Sequence, residues 1–229
     1  MTFSIAAICP ETAMFGMAIT TSSLAVGSRC CHARAGIGAA LTQHRTDPRL
    51  GPLILDHLAE GLSAQEAVDR AAASTVDAGW RQLAAVDKDG GTGFFHGRRI
   101  YSIHGEAVSQ GVVAVANIIV NPGVPAAMVA AFEAVAGQPF PERLIAALDG
   151  GLAAGGEMVP VRSAALYVVR DQPFPYADLR VDASEAPIGA LADLWRAYAG
   201  QAEAFVTKVL DPDSVPPDPE LEALTAARP

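Results

Sequence analysis

The chain has 229 residues and a net charge of −9, from 16 basic against 25 acidic side chains. It is 51% apolar but only 6% aromatic, so alanine, valine, leucine and glycine fill the interior, which suits small side chains between closely stacked layers. A chain of this length makes one large domain or two small ones and buries a large core without a disulfide or metal staple. The absence of a Lys/Arg cluster argues against a nucleic-acid partner, and no apolar run approaches the roughly 20 residues that a membrane span needs. The N-terminus lacks a positively charged segment ahead of its apolar stretch, so no signal peptide is expected and the chain is read as cytoplasmic.

Three cysteines, Cys9, Cys30 and Cys31, are an odd count that argues for free thiols. The run Cys30-Cys31-His32 looks like half a metal site, but its spacing fits none of the common zinc patterns and no second cysteine pair exists. No metal and no organic cofactor is expected.

In chain order, Phe3, Ile5 and Ala7 alternate with polar or small residues, the period of a strand. Thr2 to Ile8, a turn at Pro10-Glu11-Thr12, and Gly16 to Ser22 predict a hairpin whose second arm ends in four hydroxyls, Thr20, Thr21, Ser22 and Ser23. Ala35 to Gln43 reads as a third strand with glycines for close backbone approach. Pro52 to Glu60 has helical spacing; Ser63-Ala64-Gln65-Glu66 is a capping box that starts a second helix running to about Ser74. Strands are predicted at Gln82 to Asp87, Thr92 to His96, Ile100 to His104 and Val112 to Val120. A second helix pair follows at Pro125 to Ala136 and Pro141 to Ala154. Arg162 to Arg170 and Asp178 to Val181 return to strand, and Ile188 to Val209 is helical with a break near Gly200. The order strands, helix pair, strands, helix pair fits two antiparallel sheets stacked face to face with helices outside each, an α+β class; a parallel fold would place helices singly between strands. A single domain is expected over residues 1–210, followed by a proline-rich acidic tail over 211–229.

The chemistry centres on Thr2. With Met1 removed, Thr2 carries a hydroxyl and a free α-amine, a nucleophile with its own base; with Met1 retained, its nitrogen is an amide and no base. Thr21 and Ser23 share a strand face near that end and are candidate substrate-binding residues, although β-propensity and turn chemistry explain the same hydroxyls. Gln43 and His44 close the third strand and can line a pocket, or serve as a polar loop entry. Asn117 lies in the apolar run VVAVANIIV, where an amide needs a partner; it can donate to a developing oxyanion or make a structural bond. Arg162 can hold a substrate carboxylate or pair with Glu157. His57, His96 and His104 read as helix-surface and hairpin positions.

The segments Thr2-Phe3-Ser4-Ile5, Pro10-Glu11-Thr12, Ala25-Val26-Gly27, Ala33-Arg34-Ala35-Gly36-Ile37-Gly38-Ala39 and Thr42-Gln43 follow one another at recognisable spacings. So do Gly61 to Ala67, Arg81-Gln82-Leu83, Asn117, Gly155-Gly156 and Arg162 to Leu166. Over about Thr2 to Val181 the chain resembles an uncharacterised bacterial family that carries a domain-of-unknown-function label and has an N-terminal-nucleophile (Ntn) hydrolase-like fold. The resemblance implies a four-layer αββα sandwich and places Thr2 at the family's first mature residue. The chain departs from the family pattern at Ser22, where a basic residue is usual, at Val115-Ala116, where Gln-Gly is usual, and at His32, where an aromatic residue is usual.

The expected function is an Ntn-type amidohydrolase cleaving a C–N bond of a small molecule, with Thr2 as nucleophile and Asn117 and backbone amides for the oxyanion. The alternatives are a non-catalytic small-molecule binding or assembly module on the same fold, and a cysteine hydrolase using Cys30 or Cys31. The expected partners are a small-molecule ligand and further copies of the chain, through packing of the Ala-rich helices into a homo-oligomer.

Overall fold

The computed structural model describes residues 1–216. It divides into a first unit, Met1–Trp195, and a second that begins at Arg196. The tail expected from Asp211 lies mostly beyond residue 216, outside the described residues.

The N-terminal hairpin forms as its alternation predicts: β1 (Thr2–Cys9) pairs antiparallel with β2 (Met14–Thr21), in register from Phe3↔Thr20 to Cys9↔Met14. Ala13 turns the corner at a φ of 55°. The second sheet takes its strands next: β3 (Cys31–Arg34), β4 (Gly38–Gln43), β5 (Gln82–Asp87) and β6 (Thr92–His96), all antiparallel and in that order. The first sheet is completed by β7 (His104–Ser109), β8 (Val112–Asn117), β9 (Ser163–Val169) and β10 (Ala177–Val181). Its order is β10-β9-β2-β1-β8-β7, so the hairpin lies at its centre.

Six α-helices occur among the described residues. Helices α1 (Leu50–Ala59) and α2 (Ala64–Ala73) pack on β4, β5 and β6. Their core joins Ile54, Leu55, Ala67, Val68 and Ala71 to Ala40, Leu83 and Ala85. The capping box forms: the Glu66 N–H donates to Ser63 Oγ and the Ser63 N–H donates to the Glu66 carboxylate at 3.0 Å, which stabilises the helix start by about 1 kcal/mol. Helices α3 (Val124–Ala134) and α4 (Phe140–Ala153) pack on the first sheet. Gly16 of β2 lies so close under α4 that a Cβ there would be 2.5 Å from Leu144 Cδ1. The remaining helices are α5 (Pro187–Ala199) and, in the second unit, α6 (Ala202–Leu210).

The two sheets meet through one apolar cluster, in which Ala6, Met17, Ile19, Val113, Val115 and Ala165 of one face Ala39, Leu41, Ala84 and Val86 of the other. Every residue of β2 and β8 is buried, as expected for strands covered on both faces. The arrangement is mixed α+β, with two antiparallel sheets compatible with a sandwich.

Three elements differ from the sequence expectation. Strand β3 was not predicted: Cys31-His32-Ala33-Arg34 has no apolar alternation, and it pairs with β4 only because Gly36, at φ 71°, closes a tight turn. The strand expected at Ile100 to His104 begins at His104 instead, after a loop in which Ser102 adopts a φ of 73°. Strand β8 stops at Asn117, three residues early, because Ile118 takes a left-handed backbone at φ 54°, a conformation a β-branched residue rarely adopts.

Candidate functional site

Side chains alternate along strands, so the inter-sheet face that carries Ala6, Ile19, Val115 and Ala165 also carries Thr2, Ser4, Thr21, Asn117 and Ser163. On the facing sheet the same alternation brings Gln43, Gln82 and His96 inward. All lie toward one end: the start of β1, β5 and β9 and the finish of β2, β4, β6 and β8. The apolar inter-sheet core therefore becomes polar at the Thr2 end.

A cleft of about 470 Å3 opens there. Thr2, Thr21, Ser23 and His44 line it, together with Met1, Arg29, Cys30 and Arg45. Thr2 is only 6% exposed, and its hydroxyl lies 3.5 Å from the Thr21 hydroxyl. Both hydroxyls donate to the Met1 carbonyl, so Met1 caps Thr2. Burial lowers the Met1 amine from its ordinary value, and the nearby Glu157 carboxylate opposes that shift. Ser163 braces the rim: its hydroxyl donates to the Ser23 carbonyl at 2.7 Å and accepts the Val26 N–H at 3.1 Å.

Gln43 and Asn117 do not line the cleft. They belong to a buried ladder behind it, whose amide orientations follow from the carbonyls it touches. Gln82 Nε2 donates to the Ala116 carbonyl at 2.9 Å, which turns Gln82 Oε1 toward Gln43 Nε2 (2.5 Å) and Asn117 Nδ2 (2.9 Å). Gln43 Oε1 accepts the Ser4 hydroxyl at 2.8 Å. Gln82 Nε2 also donates to His96 Nδ1 at 2.8 Å, leaving the proton on Nε2, which donates to Glu106 at 2.9 Å. Asn117 thus gives one of its two N–H donors to Gln82, and its Oδ1 is buried without a partner among the described residues.

His44 is 5% exposed and has a φ of 55°; its neighbour Arg45 has a φ of 46°. His44 Nδ1 bonds the Trp80 carbonyl at 2.7 Å, so the neutral ring keeps its lone pair on Nε2, which is buried without a partner. Burial lowers the His44 pKa, which favours the neutral ring, and the Trp80 carbonyl opposes this.

Arg162 is exposed, and its guanidinium does not line the cleft; the residue contributes its main chain, donating N–H to the Thr21 carbonyl at 2.7 Å. Glu157 accepts the Ser22 N–H with both oxygens, at 3.2 and 3.0 Å. Burial raises the Glu157 pKa, against the Ser22 bond and the nearby N-terminal charge. Burial likewise raises Cys30 and lifts Cys31 well above the usual thiol range, the opposite of what a thiolate nucleophile needs. Among the described residues no group of three or more His, Cys, Asp or Glu side chains is placed to hold a metal ion, and no helix is long and apolar enough to cross a membrane.

Sequence reasoning missed Gln82, His96, Glu157, Arg29 and Arg45. Gln82 and His96 carried a usable signal, since each is a polar residue in phase with the inward positions of its strand.

Residues 2–191 match the family of unknown function DUF1028. The chain belongs to DUF1028. A solved structure agrees: the DUF1028 protein SPO2555 from Silicibacter pomeroyi is 32% identical, with a TM-score of 0.81 over 86% of each chain. No curated protein matches the chain. The match begins at Thr2, so the hairpin and every lining residue of the cleft except Met1 fall inside the DUF1028 region.

Proposed function

We propose that this DUF1028 member is an Ntn-type amidohydrolase on a four-layer αββα sandwich, with Thr2 as nucleophile once Met1 is removed. The observation that carries the reading is the position of Thr2: it begins a central strand, it is buried, and it faces a polar cleft while its neighbours form the apolar core. Burial at that position favours an uncharged α-amine, whose ordinary pKa is about 7.7 to 8.0.

In this mechanism Thr2 Oγ attacks the amide carbonyl carbon and its proton passes to the α-amine. Backbone N–H groups at the cleft take the oxyanion, and Asn117 Oδ1 accepts an N–H of the amine. The C–N bond breaks as the amine hands its proton to the leaving nitrogen. Water then attacks the acyl ester, its proton passes to the same amine, and the acid leaves with Thr2 restored.

A second reading follows from the cap on Thr2. A chain that keeps Met1 has no free amine at Thr2 and has both site hydroxyls bonded to the Met1 carbonyl. Such a chain is a small-molecule binding or assembly module on the same scaffold. Intact mass of the protein from its native host separates the two. Loss of one methionine, with amide hydrolysis that disappears in Thr2→Ala, supports the hydrolase; a homogeneous Met1-bearing species without hydrolysis overturns it.

A further inference from the structure

The chain carries a net charge of −9, yet none of the ten residues lining the Thr2 cleft is Asp or Glu. Two are arginines. Arg29 Nη1 donates to the Leu24 and Ala25 carbonyls at 3.0 and 2.8 Å, which fixes the guanidinium while its Nε and Nη2 donate to no protein group among the described residues. Arg45 is exposed and stacks on Trp80 with its guanidinium carbon 3.9 Å from the ring centre; among the described residues its guanidinium has no anionic partner. Glu157, the nearest acid to the N-terminus, has both oxygens on the Ser22 N–H.

His44 lines the same cleft, and its Nε2 is buried without a partner among the described residues. His44 and Arg45 are consecutive non-glycine residues in the left-handed region, a conformation that side chains with a Cβ rarely adopt. Backbone strain of this kind persists where the surroundings hold a side chain to a task. Here it sets one acceptor and one cation on the wall of the same cleft. A ligand that satisfies the set presents a carboxylate to the arginines, an N–H to His44, and a carbonyl to Thr2.

We propose that the cleft takes N-acyl amino acids, with the carboxylate held by Arg29 and Arg45 and the amide N–H received by His44 Nε2. This rests on the hydrolase reading for what happens next: water is consumed, the amide C–N bond breaks, and a carboxylic acid and a free amino acid leave. Charge-assisted bonds to a carboxylate are stronger than neutral ones, so loss of the carboxylate weakens binding by roughly tenfold or more.

The test uses Thr2→Ala protein lacking Met1, which binds without turning over. Calorimetry compares N-acetyl-L-amino acids, across the common side chains, with their C-terminal carboxamides. The expected result is at least one acid that binds about tenfold or more tightly than its carboxamide, a preference lost in Arg45→Gln. The Arg45 side chain makes no hydrogen bond to the described protein, so that variant removes the charge and its stack on Trp80 without breaking a hydrogen bond; Arg29→Gln is the second variant. Equal binding of acids and carboxamides, a preference that survives both substitutions, or no binding by any acid overturns the proposal. Turnover by the Met1-free chain with Thr2 intact is measured separately. Preferential binding of acids without hydrolysis upholds the cleft's ligand class and sinks the hydrolase reading. Hydrolysis of carboxamides as fast as acids does the reverse.

Discussion

Thr2 and Asn117 lie directly opposite each other across the β1–β8 ladder, with both side chains turned toward the second sheet. Cross-strand neighbours on one face hold their Cβ atoms about 4.5–5.5 Å apart. Gln82 takes one Asn117 N–H, and the acceptor available to Thr2 is Asn117 Oδ1, which is buried without a partner among the described residues. A carboxylate there would stabilise the protonated amine. In the Met1-free chain, Asn117→Asp therefore moves the acid limb of the pH profile of kcat/KM upward by on the order of one unit. A limb that stays in place shows that the amine does not contact residue 117.

Gln82 is the hub of the buried ladder, joined to Gln43, Asn117, His96 and the Ala116 carbonyl. Gln82→Leu keeps the bulk, strands His96 Nδ1 and Asn117 Nδ2, and leaves Gln43 Nε2 with only its 3.3 Å bond to the Val115 carbonyl. The expected cost is about 3 kcal/mol, read as a lower midpoint in urea at unchanged slope. Gln82→Glu retains an acceptor for Gln43 and Asn117 but opposes His96 Nδ1 and the Ala116 carbonyl, and is expected to fall in between.

Most of the fold was legible because most elements have a clear period. The hairpin, both helix pairs and the capping box at Ser63 follow from local pattern alone. Strand β3 was not legible, because its pairing is imposed by β4 and by the Gly36 turn rather than by its own residues. The early end of β8 was hidden for a similar reason: an apolar Ile118 gives no sign of a left-handed backbone. At the site, Thr2, Thr21, Ser23 and His44 were readable as hydroxyls and a titratable ring at strand ends, and the structure gathers them around one cleft. The orientation of the Asn117 amide was not readable, since it depends on groups from other strands. The cleft arginines were equally silent, as each comes from a loop whose position only the assembled sheets define.

Close packing of α4 on β2 makes Gly16 a sensitive position. A Cβ at residue 16 would lie 2.5 Å from Leu144 Cδ1 and 2.8 Å from Phe140 Cε1. Both side chains are themselves buried, so neither can swing out to solvent. Gly16→Ala is expected to destabilise the chain by about 1–3 kcal/mol through overpacking, despite the alanine's better strand entropy. Thermal unfolding checks this, and an unchanged or raised Tm would mean that α4 is free to shift. The companion change Leu144→Ala is expected to restore part of the loss in the double variant, because it removes the atom struck first.

Stability should fall as pH drops below about 6.5. Burial lowers the pKa of His32, His44 and His96 from the ordinary 6.5; at His96 the Glu106 contact opposes the shift. Below 6.5 the unfolded chain binds protons that the fold does not take up, so unfolding is drawn forward as acid is added. Glu157 acts in the other sense: with its pKa raised above the ordinary 4.5, its ionisation destabilises the fold as pH rises through the interval above that value. Three histidines against two carboxyls, Glu157 and Asp149, which burial also raises, leave the net slope positive, so Tm measured at pH 7.5 should exceed that at pH 5.5 by several degrees. His44→Asn supplies an N–H for the Trp80 carbonyl, tolerates the positive φ and cannot titrate, so it should flatten part of that slope. A Tm that is level across this range, or that rises in acid, would show that these rings are protonated within the fold.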